Sequence, residues 1–290
     1  MTCEGIMSND APGDGSVADR DAEATRELVR ERYATIATSD DACCNDIGVD
    51  GSNDDTACCG DSPSDTGSAQ LGYDEQDMNA VAAGADLGLG CGNPKAFAEL
   101  SPGDTVLDLG SGAGFDCFLA AREVEQAGRV IGVDMTPEMV SKARENIDKN
   151  DASNVEFRLG EIAHLPVAGA VVDVVISNCV VNLAPDKRQV FADAYRVLTP
   201  GGRLAISDVV QTAPFPDAVR MDPESVTNCV AGAATVDALE GMLADIGFED
   251  IEIQPKAESR EFISEWDSDR DLSEYLVPAR IEAQKPRHTG

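Results

Sequence analysis

The chain has 290 residues, with 22 Lys plus Arg against 54 Asp plus Glu and a formal net charge of −32. A surface this negative repels phosphate backbones and anionic lipid heads, which argues against nucleic acid and membrane surfaces as partners. The 42% of apolar residues exclude a wholly disordered polyanion.

Acidic residues run through the whole chain, and only six of the 22 cations are Lys, a composition suited to solubility in concentrated salt. A halophilic, cytoplasmic protein is expected. The stretch Met1 to Arg20 is acidic and without an apolar block, the reverse of a signal peptide. No run reaches the roughly 20 apolar residues of a membrane helix.

In chain order, residues 1–20 read as a disordered acidic N-terminus. Residues 21–70 read as one helix followed by a flexible acidic insertion that carries cysteines. The helix spans Ala22 to Ala37, with Leu28, Val29, Tyr33 and Ile36 at helical spacing, and looks like a lid or cap. Residues 71–210 read as a ligand-binding α/β domain. From Asp104, strand-like runs (TVLDLG, RVIGVD, NVEFRLG, VVDVVISN, RLAISD) alternate with helical stretches at Phe115 to Gln126, Pro137 to Lys149 and Lys187 to Leu198. Continuous Val, Ile and Leu strands of this kind are buried on both faces, so the expected fold class is α/β, a doubly wound, Rossmann-like parallel sheet. Residues 211–290 form a small α+β portion that ends the sheet: a loop with partial helix over 211–234, a helix from Val236 to Ile246 stopped by Gly247, and a strand from Phe248 to Gln254. The tail after Lys256 is expected to pack over the sheet edge as a helix or small strand.

The segment DTVLDLGSGAGF, Asp104 to Phe115, is a strand running into a Gly-rich turn and then a helix. Gly110, Gly112 and Gly114, with Ser111 between them, let the backbone turn tightly and approach a ligand, while the helix N-terminus offers free N–H groups. Asp134 ends the next strand, 24 residues beyond Gly110 and followed by Met135, where a carboxylate can accept both hydroxyl hydrogens of a ribose. The turn is G-x-G-x-G rather than the dinucleotide G-x-G-x-x-G, and Asp108 before it can meet an ammonium group, a pattern that favours S-adenosylmethionine over a pyrophosphate. Asp116, at the start of the helix, is a further cofactor candidate. The bland alternative is a tight strand-to-helix connection without a ligand. The turn and the ribose acid resemble those of class I methyltransferases. That resemblance implies that Gly160, Glu161 and Ile162 lie beside the adenine and Asn178 near the methionine part.

The nine cysteines are an odd number in a chain too large to need disulfide staples, so reduced or ligating thiols are expected. Cys91 sits among Gly88, Gly90 and Gly92, a poor setting for a core residue and a good one for a thiol that reaches a ligand. Cys179 directly follows the strand VVDVVISN, where ligands of open α/β sheets bind; its alternative is a small buried hydrophobe. Cys229 lies in VTNCVAGAA. Cys117 reads as core. The only histidines, His164 and His288, form no ligand pair or triad, and no C-x₂₋₄-C spacing for zinc occurs. Three such thiols suit a soft, thiophilic centre.

The strings YDEQDMNAVAAGADLGLGCGNP, VLDLGSGAGFDCFLAAREV, GVDMTPEMVSKARENI and SNCVVNLAPDKRQVFADAYRVLTPGGRLAISDVV narrow the resemblance to the arsenite methyltransferases. The similarity runs from Thr25 to Pro255 and is densest from Gly72 to Val210. It implies arsenic detoxification with S-adenosylmethionine as methyl donor and no metal ion required. It also implies As(III), delivered as a thiol complex, held by Cys91, Cys179 and Cys229, so that residues 211–290 carry part of the arsenic site. A further cysteine, Cys44 or Cys43, would serve redox turnover, with thioredoxin or a small thiol as reductant. A monomer is expected. Two alternatives stand beside this: a class I methyltransferase acting on a quinone or other small molecule, which leaves Cys91 and Cys229 unexplained, and a non-catalytic protein that sequesters metalloids.

Overall fold

Short runs of β-branched and aliphatic residues can be buried only where both faces of a sheet are covered, and the computed structural model arranges them so. It describes residues 22–39, 67–69, 71–220, 222–256, 263, 266 and 270–287. Cys43 and Cys44, expected to serve redox turnover, and the N-terminal segment 1–20 lie outside those residues, as do Cys58, Cys59 and His288.

Helix α1 spans Ala22–Thr38 and the short α2 Glu75–Ala80, capped by Asp74, whose side chain accepts from Asp77 N–H. The sheet then begins with β1 (Thr105–Leu109), followed by α3 (Phe115–Glu123), β2 (Arg129–Asp134), α4 (Pro137–Lys149), β3 (Val155–Leu159) and β4 (Val172–Asn178). Next come α5 (Lys187–Val197), the long β5 (Leu198–Gln211), and the short α6 (Asp217–Arg220) and α7 (Pro223–Thr227). Helix α8 (Val236–Ile246), β6 (Glu249–Pro255) and β7 (Leu276–Gln284) close the chain. Helix α8 begins at Thr235, whose hydroxyl caps Ala238 N–H, and stops at Gly247 in a left-handed conformation.

The seven strands form one sheet in the order β3-β2-β1-β4-β5-β7-β6. Strands β1 to β5 pair in parallel, and β7 runs antiparallel to both β5 and β6. Alternate residues of one strand serve opposite cores: Leu107 and Leu109 pack with α5 and α8 residues such as Phe191 and Leu243, while Val106 packs with Phe118 and Val140 of α3 and α4. A third cluster joins Val29 of α1 to Cys91, Cys179, Cys229 and Leu276 above the strand ends.

The expected α/β sheet is present, with one correction. The tail does not pack over an edge. Strand β7 inserts between β5 and β6, which leaves β6 at the edge, and Val277, Ala279 and Ile281 enter the main core. LVPARIEAQ alternates apolar and polar residues from Val277 on, but its Pro278 argues against an interior strand, and its two Ala and its Glu have low strand propensity, which concealed a nine-residue interior strand. His164 is exposed in a loop and Cys117 fully buried, in agreement with expectation.

Candidate active site

Strand order reverses between β1 and β4, and ligands of open α/β sheets bind outside the carboxyl ends of the strands at such a switch point. A cavity of about 470 Å³ opens there. Its β1 side holds Asp108, Gly110, Ser111 and Gly112; its β2 and β3 side holds Asp134, Met135, Glu161 and Ile162; its β4 side holds Asn178 and Cys179. Asp116 and Cys229 also face it, as do Tyr33 of α1 and Trp266. Gly114 and Gly160, both expected at the cofactor, do not line it. Gly114 instead caps α3, and the space beside Gly160 is filled by Pro166.

The Gly-rich turn is tight and closely packed. Gly110 has φ +68°, and a Cβ there would overlap the side chain of Val180, so only glycine fits without strain. Gly112 N–H donates to Asp134 Oδ2 at 3.0 Å and Thr136 N–H to Asp134 Oδ1 at 2.9 Å, which fixes the carboxylate at the end of β2. Glu161 pairs with Arg26 of α1 at 3.0 Å, so the helix lies across the third strand's end.

Three buried carboxyls converge on the cavity. Burial, reinforced by Asp116, pushes Asp108 well above the usual carboxylate range. Burial raises Asp134 as well, against the bonds it accepts from Thr136 and Gly112. Asp116 is pushed up to about 6, by burial first, although hydrogen bonds from Tyr73 and Asn178 pull it back. Ser111 Oγ is buried and has no hydrogen-bond partner. Crowded acids are relieved by a cation, and an orphaned hydroxyl by a polar ligand atom, so this lining fits a nucleoside that carries positive charge. S-adenosylmethionine has that chemistry.

The three expected thiols meet beside this cleft. Cys179 follows β4 directly, its N–H donating to Ser207 O at 2.8 Å. Cys229 follows α7 and donates from Sγ to Cys179 O at 2.6 Å. The Cys91, Cys179 and Cys229 thiols share one buried cluster, and the neighbouring Cys229 and Cys91 thiols, then burial, push the Cys179 pKa well up. Burial raises Cys91 too. Contrary to the expectation of a loosely placed turn, Cys91 is buried at 5% exposure. The physical reason is its glycines: Gly90, at φ +123°, brings the backbone so close to Asn178 that a Cβ would lie 2.7 Å from both amide atoms, and Gly92 packs equally tightly on Ser207. Cys179 and Cys229 hold φ values of +56° and +63°, left-handed conformations that cost a non-glycine residue about 1 kcal/mol each.

Sequence reasoning missed four members of the site. Asp208, near the end of β5, brings a carboxylate oxygen into one group with the Cys91 and Cys179 sulfurs, all within 4.8 Å of one another. Asp208 accepts from Asn182 Nδ2 at 2.8 Å and Val209 N–H at 2.8 Å, and burial pushes it up to about 6. Half-buried Lys187 lies near enough to act on it electrostatically. Tyr33 stands close to Cys229, Cys179 and Asp134, so α1 spans the thiols and the ribose-type acid. Tyr73 donates to Asp116. For Asp208 a signal existed, an acid ending the strand RLAISD beside the switch point; for the two tyrosines only tertiary structure supplies one.

Comparison with known proteins agrees with this geometry. A family model described as a methyltransferase domain matches residues 100–247. An arsenite methyltransferase of Halobacterium salinarum is 70% identical over 285 residues, 98% of this chain and 72% of that protein. The arsenite methyltransferase of Homo sapiens is 41% identical over 152 residues, 49% of this chain and 40% of the human one. The chain thus spans less than half the length of the human relative. The crystal structure of CrArsM, an arsenic (III) S-adenosylmethionine methyltransferase from Chlamydomonas reinhardtii, superposes with a TM-score of 0.58 at 33% identity, covering 78% of this chain and 74% of that one. With a haloarchaeal-type composition, a methyltransferase sheet and these relatives, the chain belongs to the arsenite methyltransferase family of S-adenosylmethionine-dependent enzymes.

Proposed function

We propose that the chain transfers methyl groups from S-adenosylmethionine to trivalent arsenic bound by Cys91, Cys179 and Cys229. The observation that carries this reading is the convergence of three buried thiols, from three separate loops, at the edge of an acid-lined cleft. A quinone methyltransferase would have no use for such a trio.

Capture needs no strong base. With As(OH)₃, each sulfur that bonds to arsenic displaces one hydroxide, which leaves as water with that thiol's proton; with a glutathione complex, each enzyme thiol hands its proton to a departing glutathione. Raised thiol pKa values are therefore compatible with binding. The bound methyl donor supplies an electrophilic sulfonium methyl. The chain's contribution is orientation: Gly110 to Gly112 and Asp134 hold the nucleoside, Asp108 and Asp116 face its positive charge, and the thiols aim the arsenic lone pair at the methyl carbon, an arrangement that can supply several kcal/mol. Methylation oxidises arsenic by two electrons. Two of its thiolates leaving as a disulfide would return that pair, and thioredoxin or a small thiol would then reduce the disulfide; Cys44 or Cys43 is the further cysteine proposed for this turnover. A role in arsenic detoxification in the cytoplasm, as a monomer, follows from the same reading. Among the described residues no helix is long and apolar enough to cross a membrane.

The test is turnover in high salt, which screens the self-repulsion of a −32 chain. Purified protein with As(III), glutathione and S-adenosylmethionine should yield methylated arsenic and S-adenosylhomocysteine in matched amounts. Cys179→Ser should lower the rate at least 100-fold while still binding S-adenosylhomocysteine. Full activity in that variant would overturn the three-thiol reading, and arsenic binding without product would turn the protein into a sequestering one.

A further inference from the structure

Cys91 has no secondary structure to hold it. One side chain, Asn178, grips its loop twice: Oδ1 accepts from Cys91 N–H at 3.0 Å, and Nδ2 donates to Gly92 O at 2.7 Å. Both bonds require one orientation of the amide. Turned by 180°, Asn178 would set N–H against N–H and oxygen against oxygen.

What selects that orientation lies one step further out. The second Nδ2 hydrogen of Asn178 points to the Tyr73 hydroxyl oxygen at 3.0 Å. The Tyr73 hydroxyl can accept it because its own proton is committed elsewhere, to Asp116 Oδ1 at 2.6 Å. Asp116, pushed up to about 6, remains a carboxylate at neutral pH and so only accepts, while Tyr73 is held well above its ordinary range and stays a phenol. Asp116 Oδ2 also accepts directly from Asn178 Nδ2 at 3.4 Å, so polarity passes in one direction, from the acid, both directly and through the phenol, to the amide and on to the backbone of the thiol loop. Tyr73 is itself seated by an edge-on contact with Phe115, at 5.0 Å between ring centroids.

We propose that Tyr73 and Asp116 are positioning residues for metalloid capture: they set the amide orientation of Asn178 and through it hold Cys91 beside Cys179 and Cys229. The proposal rests on the reading of the three thiols as the arsenic site. Neither Tyr73 nor Asp116 touches a thiol, and the effect travels through a chain of hydrogen bonds whose donors and acceptors cannot be exchanged.

The experiment measures arsenite binding, with glutathione present, from the fluorescence of Trp266, the single tryptophan, which lines the same cavity. Tyr73→Phe keeps the ring and its contact with Phe115 but removes the hydroxyl. Asp116→Asn supplies an amide that can donate to the Tyr73 oxygen and free the phenol proton to turn Asn178 around. Each should weaken arsenite binding about tenfold, and Tyr73→Phe, which lies outside the cavity lining, should raise the KM for arsenite similarly with kcat at saturation changed less than threefold. In an Asn178→Ala background, which loses the grip on the loop directly, adding Tyr73→Phe should change arsenite affinity less than twofold, since its only route is already cut. A merely structural role for Tyr73 would instead lower the melting temperature, affect arsenite and S-adenosylhomocysteine binding alike, and add in full to Asn178→Ala; that result, or wild-type arsenite affinity in both single variants, overturns the inference. Failure of the underlying reading is distinct, because the wild-type protein would then not bind arsenite at all.

Discussion

The two halves of the cleft are built in different ways. On the β1 and β2 side the ligand surface is a glycine turn with the carboxylates of Asp108 and Asp134, all within thirty residues and all produced by the strand-turn-helix connection that also makes the fold. On the β4 and β5 side it is sulfur and carboxylate drawn from three loops separated by 88 and 50 positions, two of the cysteines in left-handed conformations and the third clamped by a distant amide. The first half is local and unstrained for its glycines; the second is non-local and strained for its cysteines. A fold supplies the first almost without extra cost, whereas the second exists only because the surrounding packing enforces it.

The largest effect that would break this contrast is expected at Gly110. Replacement by Ala places a Cβ against Val180 and an L side chain at φ +68°, costing about 1 kcal/mol in backbone strain and a further 1 to 3 kcal/mol in overpacking. Val180 directly follows Cys179, so the two halves touch here. Gly110→Ala should lower the denaturation midpoint and abolish S-adenosylhomocysteine binding; calorimetry on the same sample checks both. An unchanged midpoint would mean that the turn is not the rigid element supposed.

Asp116 sharpens the comparison, because it belongs to both halves. Its folded pKa, about 6, lies above the ordinary value of 3.8, so between those pH values the folded protein holds a proton that the unfolded chain has released. Stability contributed by this group is accordingly full below about pH 4, falls as pH rises to about 6, and is flat above, by up to about 3 kcal/mol for a shift of roughly two pK units. In Asp116→Asn that slope is absent. The difference in unfolding free energy between wild type and variant, measured from pH 4 to 7, should therefore shift against the wild type as pH rises and level off near 6. Parallel curves would show that Asp116 is not buried as an acid.

The same contrast explains what could be read in the sequence. The β1 turn, Asp134 and the alternation of strands and helices were legible because each is encoded by neighbours within a few residues. Cys91, Cys179 and Cys229 were singled out partly by Gly and strand-end context and partly by resemblance; no local pattern could show that they meet. Asp208 stood in plain view at a strand end, but its importance depends on the register that sets β5 beside β4. Tyr73 and Asn178 are separated by 105 residues and meet only after folding. Strand β7 was missed because its partners, β5 and β6, lie upstream and its Pro278, Ala and Glu residues have low strand propensity, which tertiary pairing overrode.

The smallest effect concerns the strain itself, which can be measured by comparing two substitutions at one site. Cys229→Ala and Cys229→Gly both remove the thiol and its bond to Cys179 O, so each should lose arsenite binding equally. They differ in backbone. At φ +63° Ala retains the left-handed penalty of about 1 kcal/mol while Gly escapes it, which offsets the greater entropy that Gly loses on folding. Cys229→Gly should therefore match or exceed Cys229→Ala in stability. Cys117 provides the control, since it is fully buried inside α3, where Gly should fall below Ala by about 1 kcal/mol. Urea titration of the four variants reads both differences. If Gly were the worse residue at both positions, Cys229 would carry no strain, and the thiol half of the cleft would be as relaxed as the glycine half.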